Sequence, residues 1–236
     1  MGEAATDRLA VLIDADNAQA SILPELLAEV ARYGVASVRR AYGDWTTQNL
    51  SGWKLQLQKH AVQPVQQFAY TTGKNATDSA LIIDAMDLLH SGGFDGFCLV
   101  SSDSDFTRLA TRIREAGVVV YGFGEAKTPE PFVAACDRFI FTEILRPQPT
   151  GETVAKPKPS PKLKRAITAA LDSCARDDGW AHLGTMGQYL VTNDPSFDSR
   201  NYGYKKLSEL VRALSYLEVR DETGPKGAGV VWVRLK

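Results

Sequence analysis

Two stretches of the chain, LAVLI at residues 9–13 and FCLV at residues 97–100, are apolar at every position. A short run with no alternation has no side to turn to water, so it reads as a strand covered on both faces. A mainly parallel sheet between two helical layers provides that environment. Residues 36–41, 62–68, 118–123 and 138–142 read as further strands. Pro64 moves the third strand to a sheet edge, because it has no N–H for a ladder. Helical spacing fills the gaps at 22–30, 50–60, 77–89, 106–116 and 131–135. The 77–89 helix has Asn75 or Thr77 as a cap and Gly92-Gly93 as its stop. Strands alternating with helices imply βαβ units and a three-layer α/β/α fold over residues 1–145.

The pattern then breaks. Residues 146–161 are rich in Pro and Lys with almost nothing apolar, and read as an extended, semi-rigid linker. Residues 162–236 form a second, smaller unit. Apolar residues recur at helical spacing from Leu163 to Cys174, Leu183 to Leu190 and Leu207 to Leu217. A hairpin over 217–220 and 230–235 follows, joined by the turn-rich ETGPKGAG. Three helices and a β-wing predict a winged-helix topology.

Charge divides along the same boundary. Residues 1–146 carry 13 Lys+Arg against 18 Asp+Glu, and residues 147–236 carry 14 against 10. This is either ordinary surface variation or an acidic site in one half and a polyanion-binding surface in the other. Cys98, Cys136 and Cys174 form no CxxC pair, against a disulfide scaffold or structural zinc site. No apolar run approaches the ~18–20 residues of a membrane helix. The opening residues are acidic and lack the plan of a secretory signal, so the expectation is a cytoplasmic protein without a membrane partner.

The acidic residues of the first half sit at telling places. Asp14, Asp16 and Asn17 follow the first strand, Asp78 opens a helix, and Asp103 and Asp105 follow the FCLV strand. Sites in doubly wound sheets form beyond the strands' carboxyl ends, where strand order reverses. If FCLV neighbours LAVLI across that reversal, the clusters face one another. Converging carboxylates repel unless a cation neutralises them, and oxygen-only ligands select hard ions such as Mg²⁺ or Mn²⁺. Such ions lower the pKa of a bound water and offset charge on a phosphate. Taken singly, each cluster also fits helix caps and turns. Asp14-x-Asp16 alone also occurs in phosphatases with an aspartyl nucleophile, which need a loop insertion after Asp16. Helical pattern resumes near Ala20 instead.

Together, LAVLIDADN, GKNATDSALIIDAMDLL and LVSSDSDFTRLATRIREAGVVVYGFG resemble the NYN branch of the PIN-like nucleases, over residues 8–145. The resemblance implies a PIN-like α/β/α domain with an acidic site that binds Mg²⁺ or Mn²⁺ and cleaves RNA. By motif it assigns Asp14, Asp16, Asn17, Asp78, Asp103 and Asp105 to that site, with Asp14, Asp78, Asp103 and Asp105 as metal ligands. Ser101 and Ser102 would lie beside the substrate phosphate, and Lys74, one helical turn before Asp78, is a candidate positive partner there for substrate. GWAHLGTMGQYLVTNDPSFDSRNYGYKKLSELVRALSYLEVR resembles the OST-HTH/LOTUS module, which binds RNA or protein partners. The whole then reads as a ribonuclease with an appended RNA-binding unit, or as a catalytically weak RNA-binding scaffold on the same fold.

Several residues remain beside these motifs. Asp84 is about 120° around the helix from Asp78 and Asp87 about 180°, which ranks Asp84 below the others as a ligand and leaves Asp87 solvated. Asp84 is expected to bond neighbouring backbone. Asp44, after the second strand, reaches the site or its rim. Arg39, Arg40, Lys54, Lys59 and Trp53 are candidates for an RNA-groove edge. Lys205 and Lys206 are candidates for phosphate contact in the second unit, whereas Trp180, Tyr204 and Leu207 read as core. His60, His90 and His182 are too scattered to be ligands.

Overall fold

The computed structural model describes residues 6–68, 76–146, 160–223 and 229–236. The chain divides into two compact units, Met1–Pro147 and Gln148–Lys236. Lys74, Asn75 and most of the 146–161 stretch lie outside the described residues.

In the first unit six strands form one parallel sheet: β1 (Arg8–Asp14), β2 (Val35–Gly43), β3 (Gln63–Gln66), β4 (Gly96–Val100), β5 (Val119–Gly124) and β6 (Arg138–Phe141). Their order is β3-β2-β1-β4-β5-β6, so the direction of winding reverses between β1 and β4. LAVLI and FCLV are direct neighbours, with Leu9 opposite Gly96 and Ile13 opposite Val100. β3 lies at the margin, where Pro64 pairs with Ala41.

Helices cover both faces. On one side, α1 (Leu23–Val30) and α2 (Trp53–Lys59) bring Leu26, Val30, Trp53 and Leu57 onto Val11 and Ile13 of β1. On the other, α3 (Ala76–Ser91), α4 (Thr107–Glu115) and α5 (Glu130–Ala135) bring Leu81, Ala85, Leu109, Ile113 and Phe132 onto Ala10, Leu12, Phe97 and Leu99. Successive β1 side chains thus enter opposite cores, as an all-apolar strand requires. Gly92 and Gly93 follow α3 with φ of 70° and 81°, a left-handed stop that glycine adopts without strain.

Two expectations are corrected here. Thr77 falls inside α3, so it is not its cap. Trp53 is buried in the core, and it also lines the hollow that Asp16, Asp44 and Thr77 border. Asp84 does not bond backbone: its carboxylate accepts from the Arg40 guanidinium and the Tyr42 hydroxyl. Arg40 is therefore committed to an ion pair that joins α3 to β2. Asp84→Ala leaves two donors without their acceptor, and we expect a stability loss of about 1–3 kcal/mol. Tyr42→Phe should cost less, and denaturant unfolding of the three proteins measures both.

The second unit contains α6 (Pro161–Cys174), α7 (Leu183–Asn193) and α8 (Leu207–Ala213), with strands β7 (Ala181–His182), β8 (Leu217–Thr223) and β9 (Gly229–Leu235) ordered β7-β9-β8. Ser160 caps α6 by accepting the Leu163 N–H at 3.1 Å. Leu163, Ile167, Met186, Leu190, Leu210 and Val233 close the core. α8 is shorter than its apolar spacing predicts: Leu214 ends it and Leu217 opens β8. Tyr204 and Leu207 pack against this core as expected. Among the described residues of the chain, no helix is long and apolar enough to cross a membrane.

Candidate functional site

The reversal of the sheet places the ends of β1 and β4 side by side, and their side chains interlock. Asp14, the last residue of β1, is fully buried. Its carboxylate accepts the Asn17 side-chain amide at 2.8 Å and the Ser101 hydroxyl at 2.8 Å. Ser101 Oγ also accepts the Asp103 N–H at 3.1 Å, so one hydroxyl ties the first-strand acid to the fourth-strand loop. Asp103 Oδ1 accepts the Asp105 N–H at 3.0 Å and caps the single 3-10 turn of Ser104–Phe106.

Asp78 arrives from the first turn of α3. Thr77, its neighbour, donates to Asp16 Oδ2 at 3.0 Å, which fixes that turn against the loop after β1. Asp78, Asp103 and Asp105 each present an oxygen within 4.8 Å of the other two. They differ in exposure: Asp78 is buried, Asp103 half-buried and Asp105 exposed. Asp14 and Asp16 stand outside this trio, although both are close enough to be felt by it electrostatically.

The electrostatics follow from the crowding. Burial pushes the Asp78 carboxyl up to about 6, and the charges of Asp14, Asp103, Asp105 and Asp16 push in the same direction. Burial also raises Asp14, against the lowering effect of its hydrogen bonds from Asn17 and Ser101. No cationic side chain is among the causes of either shift. The donor set is all oxygen and its negative charges are crowded together, which fits a hard divalent cation.

The remaining candidates separate by position. Ser102 Oγ accepts the Glu125 N–H at 2.9 Å. Asp44 lines the same groove as Asp16 and Thr77, a hollow of about 600 Å³. Its carboxylate accepts from Thr46 Oγ1 at 2.6 Å and Gln66 Nε2 at 2.9 Å. Lys205 and Lys206 are exposed in the second unit, just before α8. Sequence reasoning missed the rim on the other side of Asp14. There Arg146 Nη2 donates to Gln19 Oε1, and Gln19 Nε2 to Glu125 Oε1, each at 3.2 Å. Nothing in the sequence joins residues 19, 125 and 146; only the ends of β1, β5 and β6 bring them together.

Comparison with known proteins identifies both units. The NYN domain family model matches residues 8–145, and the OST-HTH/LOTUS domain model matches residues 158–227. No curated protein matches the chain. Among solved structures, a protein of unknown function from Vibrio parahaemolyticus is 17% identical, with a TM-score of 0.50, over 59% of this chain and 94% of its own. That likeness concerns the fold. An uncharacterized protein from Nitrosomonas europaea is 36% identical over 39% of this chain and 87% of its own, with a TM-score of 0.32. A Chromobacterium violaceum fragment is 39% identical over 34% of this chain and 86% of its own, with a TM-score of 0.28. The six-stranded parallel sheet between helices is the PIN-like arrangement, and the chain belongs to the NYN domain family, with an OST-HTH/LOTUS domain after it.

Proposed function

We propose that the chain is a divalent-metal-dependent ribonuclease that hydrolyses RNA phosphodiester bonds, with its OST-HTH/LOTUS domain holding the RNA. The observation that carries the reading is the convergence of Asp78, Asp103 and Asp105 within 4.8 Å, beside buried Asp14, where the sheet reverses. The pairing of an NYN domain with an OST-HTH/LOTUS domain supports a ribonuclease-like or RNA-binding role. The same carboxylates favour catalysis over the scaffold reading, since a passive RNA-binding edge gains nothing from clustered negative charge.

Asp78, Asp103 and Asp105 would hold Mg²⁺ or Mn²⁺, with Asp14 completing the charge around it. The cation supplies activation of water and neutralisation of the phosphate as charge builds there. Asn17 and Ser101 keep the Asp14 carboxylate from rotating. Asp16, steadied by Thr77, and exposed Asp105 orient water and accept protons at the rim. Hydrolysis by attack in line leaves a 5′-phosphate and a 3′-hydroxyl. The substrate is single-stranded at the point of cleavage, and Lys74, Lys205 and Lys206 are assigned to its phosphates. We assign the reaction as endonucleolytic and the compartment as the cytoplasm.

End-labelled single-stranded RNA, incubated with Mg²⁺ or Mn²⁺, tests the reading. Wild type should cleave only with metal, and Asp103→Asn should be slower on the order of 10²–10³-fold, the usual cost of one electrostatic group in a site of this kind. RNA that is bound by wild type but left intact with every metal would overturn the enzyme reading in favour of the scaffold. Equal cleavage by the two proteins would remove support from the site.

A further inference from the structure

The sheet of the second unit carries chemistry that the carboxylate site does not use. Alternate residues of a strand share a face. Leu217, Val219, Val231 and Val233 take the inner face and pack onto the helices. Glu218, Arg220, Trp232 and Arg234 alternate with them and take the outer face, where His182 is in register with Trp232. Trp180 lies on the same side, two residues before His182. The guanidinium carbons of Arg220 and Arg234 are each 4.6 Å from its ring centroid. Arg176 lies over Trp232 at 4.1 Å, and the His182 ring meets the same indole edge-on at 5.6 Å.

A guanidinium laid on an indole uses one flat side for the stack. Its other flat side and its rim of N–H donors remain available. Arg234 and Arg220 spend donors on Glu218 and Glu222, each at 2.7 Å, in exposed pairs that a phosphate can displace. Arg176 is exposed and has no ion-pair partner among the described residues. Trp232 is 8% exposed, so it serves as the base under Arg176 rather than as a stacking surface itself. A purely structural sheet has no need of an exposed guanidinium held flat without an ion-pair partner. Unpaired bases stack on arginine planes and their phosphates take the rim donors, so single-stranded RNA matches these flat-held guanidinium groups.

We propose that this outer face of the β7-β9-β8 sheet, with Arg176, Arg220 and Arg234 over Trp180 and Trp232, is where the OST-HTH/LOTUS domain contacts single-stranded RNA. This rests on the RNA-binding reading above, and it makes the Lys205-Lys206 edge secondary.

Fluorescence anisotropy of a labelled 12-nucleotide single-stranded RNA with the full chain, in EDTA to prevent cleavage, tests it. Arg176→Glu combined with Arg234→Glu should weaken binding by about tenfold or more and flatten the salt dependence by about one to two phosphates. Lys205→Glu combined with Lys206→Glu should weaken it by less than about threefold. Arg176→Glu alone breaks no ion pair, so it keeps the test open if the double variant misfolds, and it should still reduce affinity severalfold. Wild-type affinity in the Arg176 variant, with loss in the lysine variant, would overturn the proposal and leave RNA binding standing. No binding by wild type would overturn the RNA-binding reading itself. Binding of a protein partner that the Arg176 variant loses, without any RNA binding, would reassign this face to protein.

Discussion

Asp78→Asn is expected to melt at a higher temperature than wild type in metal-free buffer at pH 7, and to lose RNA cleavage by about 10²–10³-fold. Both effects have one origin. Burial and four surrounding carboxylates raise Asp78 from 3.8 to about 6. A raised carboxyl binds its proton more tightly in the folded chain than in the unfolded one. Stability therefore falls as pH rises from about 4 to about 6, and the full penalty of the charged group is present at pH 7. Asparagine keeps the shape and removes the penalty. The melting temperatures of the two proteins should draw together as the pH is lowered through that window. Added Mg²⁺ should reverse the order at pH 7, because it stabilises only a fold that binds it. Thermal melts at pH 4 and pH 7, with and without Mg²⁺, read all of this. A variant less stable than wild type at pH 7 without metal would show that Asp78 is held by favourable contacts rather than crowded.

Phe97→Ala is expected to cost about 3–5 kcal/mol. Phe97 is completely buried in β4, paired with Ala10 of β1 on one side and Val120 of β5 on the other. It shares its core with Leu81 and Ala85 of α3. Truncation opens a cavity between the central strands and the helix that carries Asp78. The surrounding sheet is paired on both sides, so it cannot collapse into the space. Hydrogen exchange followed peptide by peptide separates the units: protection should fall through β1, β4 and α3 and hold in α6 and α7. Phe97→Leu, which keeps most of the apolar volume, should recover much of the loss.

Much of this was legible in the residues because local and long-range signals agreed. LAVLI and FCLV had no polar position, so they had to lie in the middle of the sheet, and their adjacency made the acids beyond them converge. Partners that depend on distant pairing were not legible. Asp84 finds Arg40 and Tyr42 because α3 crosses β2, and helix angle alone could only say that it faces away from Asp78. The two-residue strand β7 exists because Val233 and Trp232 of β9 pair with it, not through its own propensity. Trp53, a groove-edge candidate, stood among Lys and Gln, so its place in the core was not legible until its helix packed on the sheet. The motif could place Ser101 at the site, but not show that its hydroxyl joins Asp14 to the Asp103 backbone.

The marginal position of β3 has a consequence for how molecules of this kind meet one another. An outer strand is a template on which a second molecule can extend the sheet. Here the template is only four residues, Gln63–Gln66, and one of them is Pro64. It has few free backbone donors to offer, and proline resists the continuous pairing that an intermolecular ladder requires. The residue that sends this strand to the margin also protects the margin against self-assembly at high concentration.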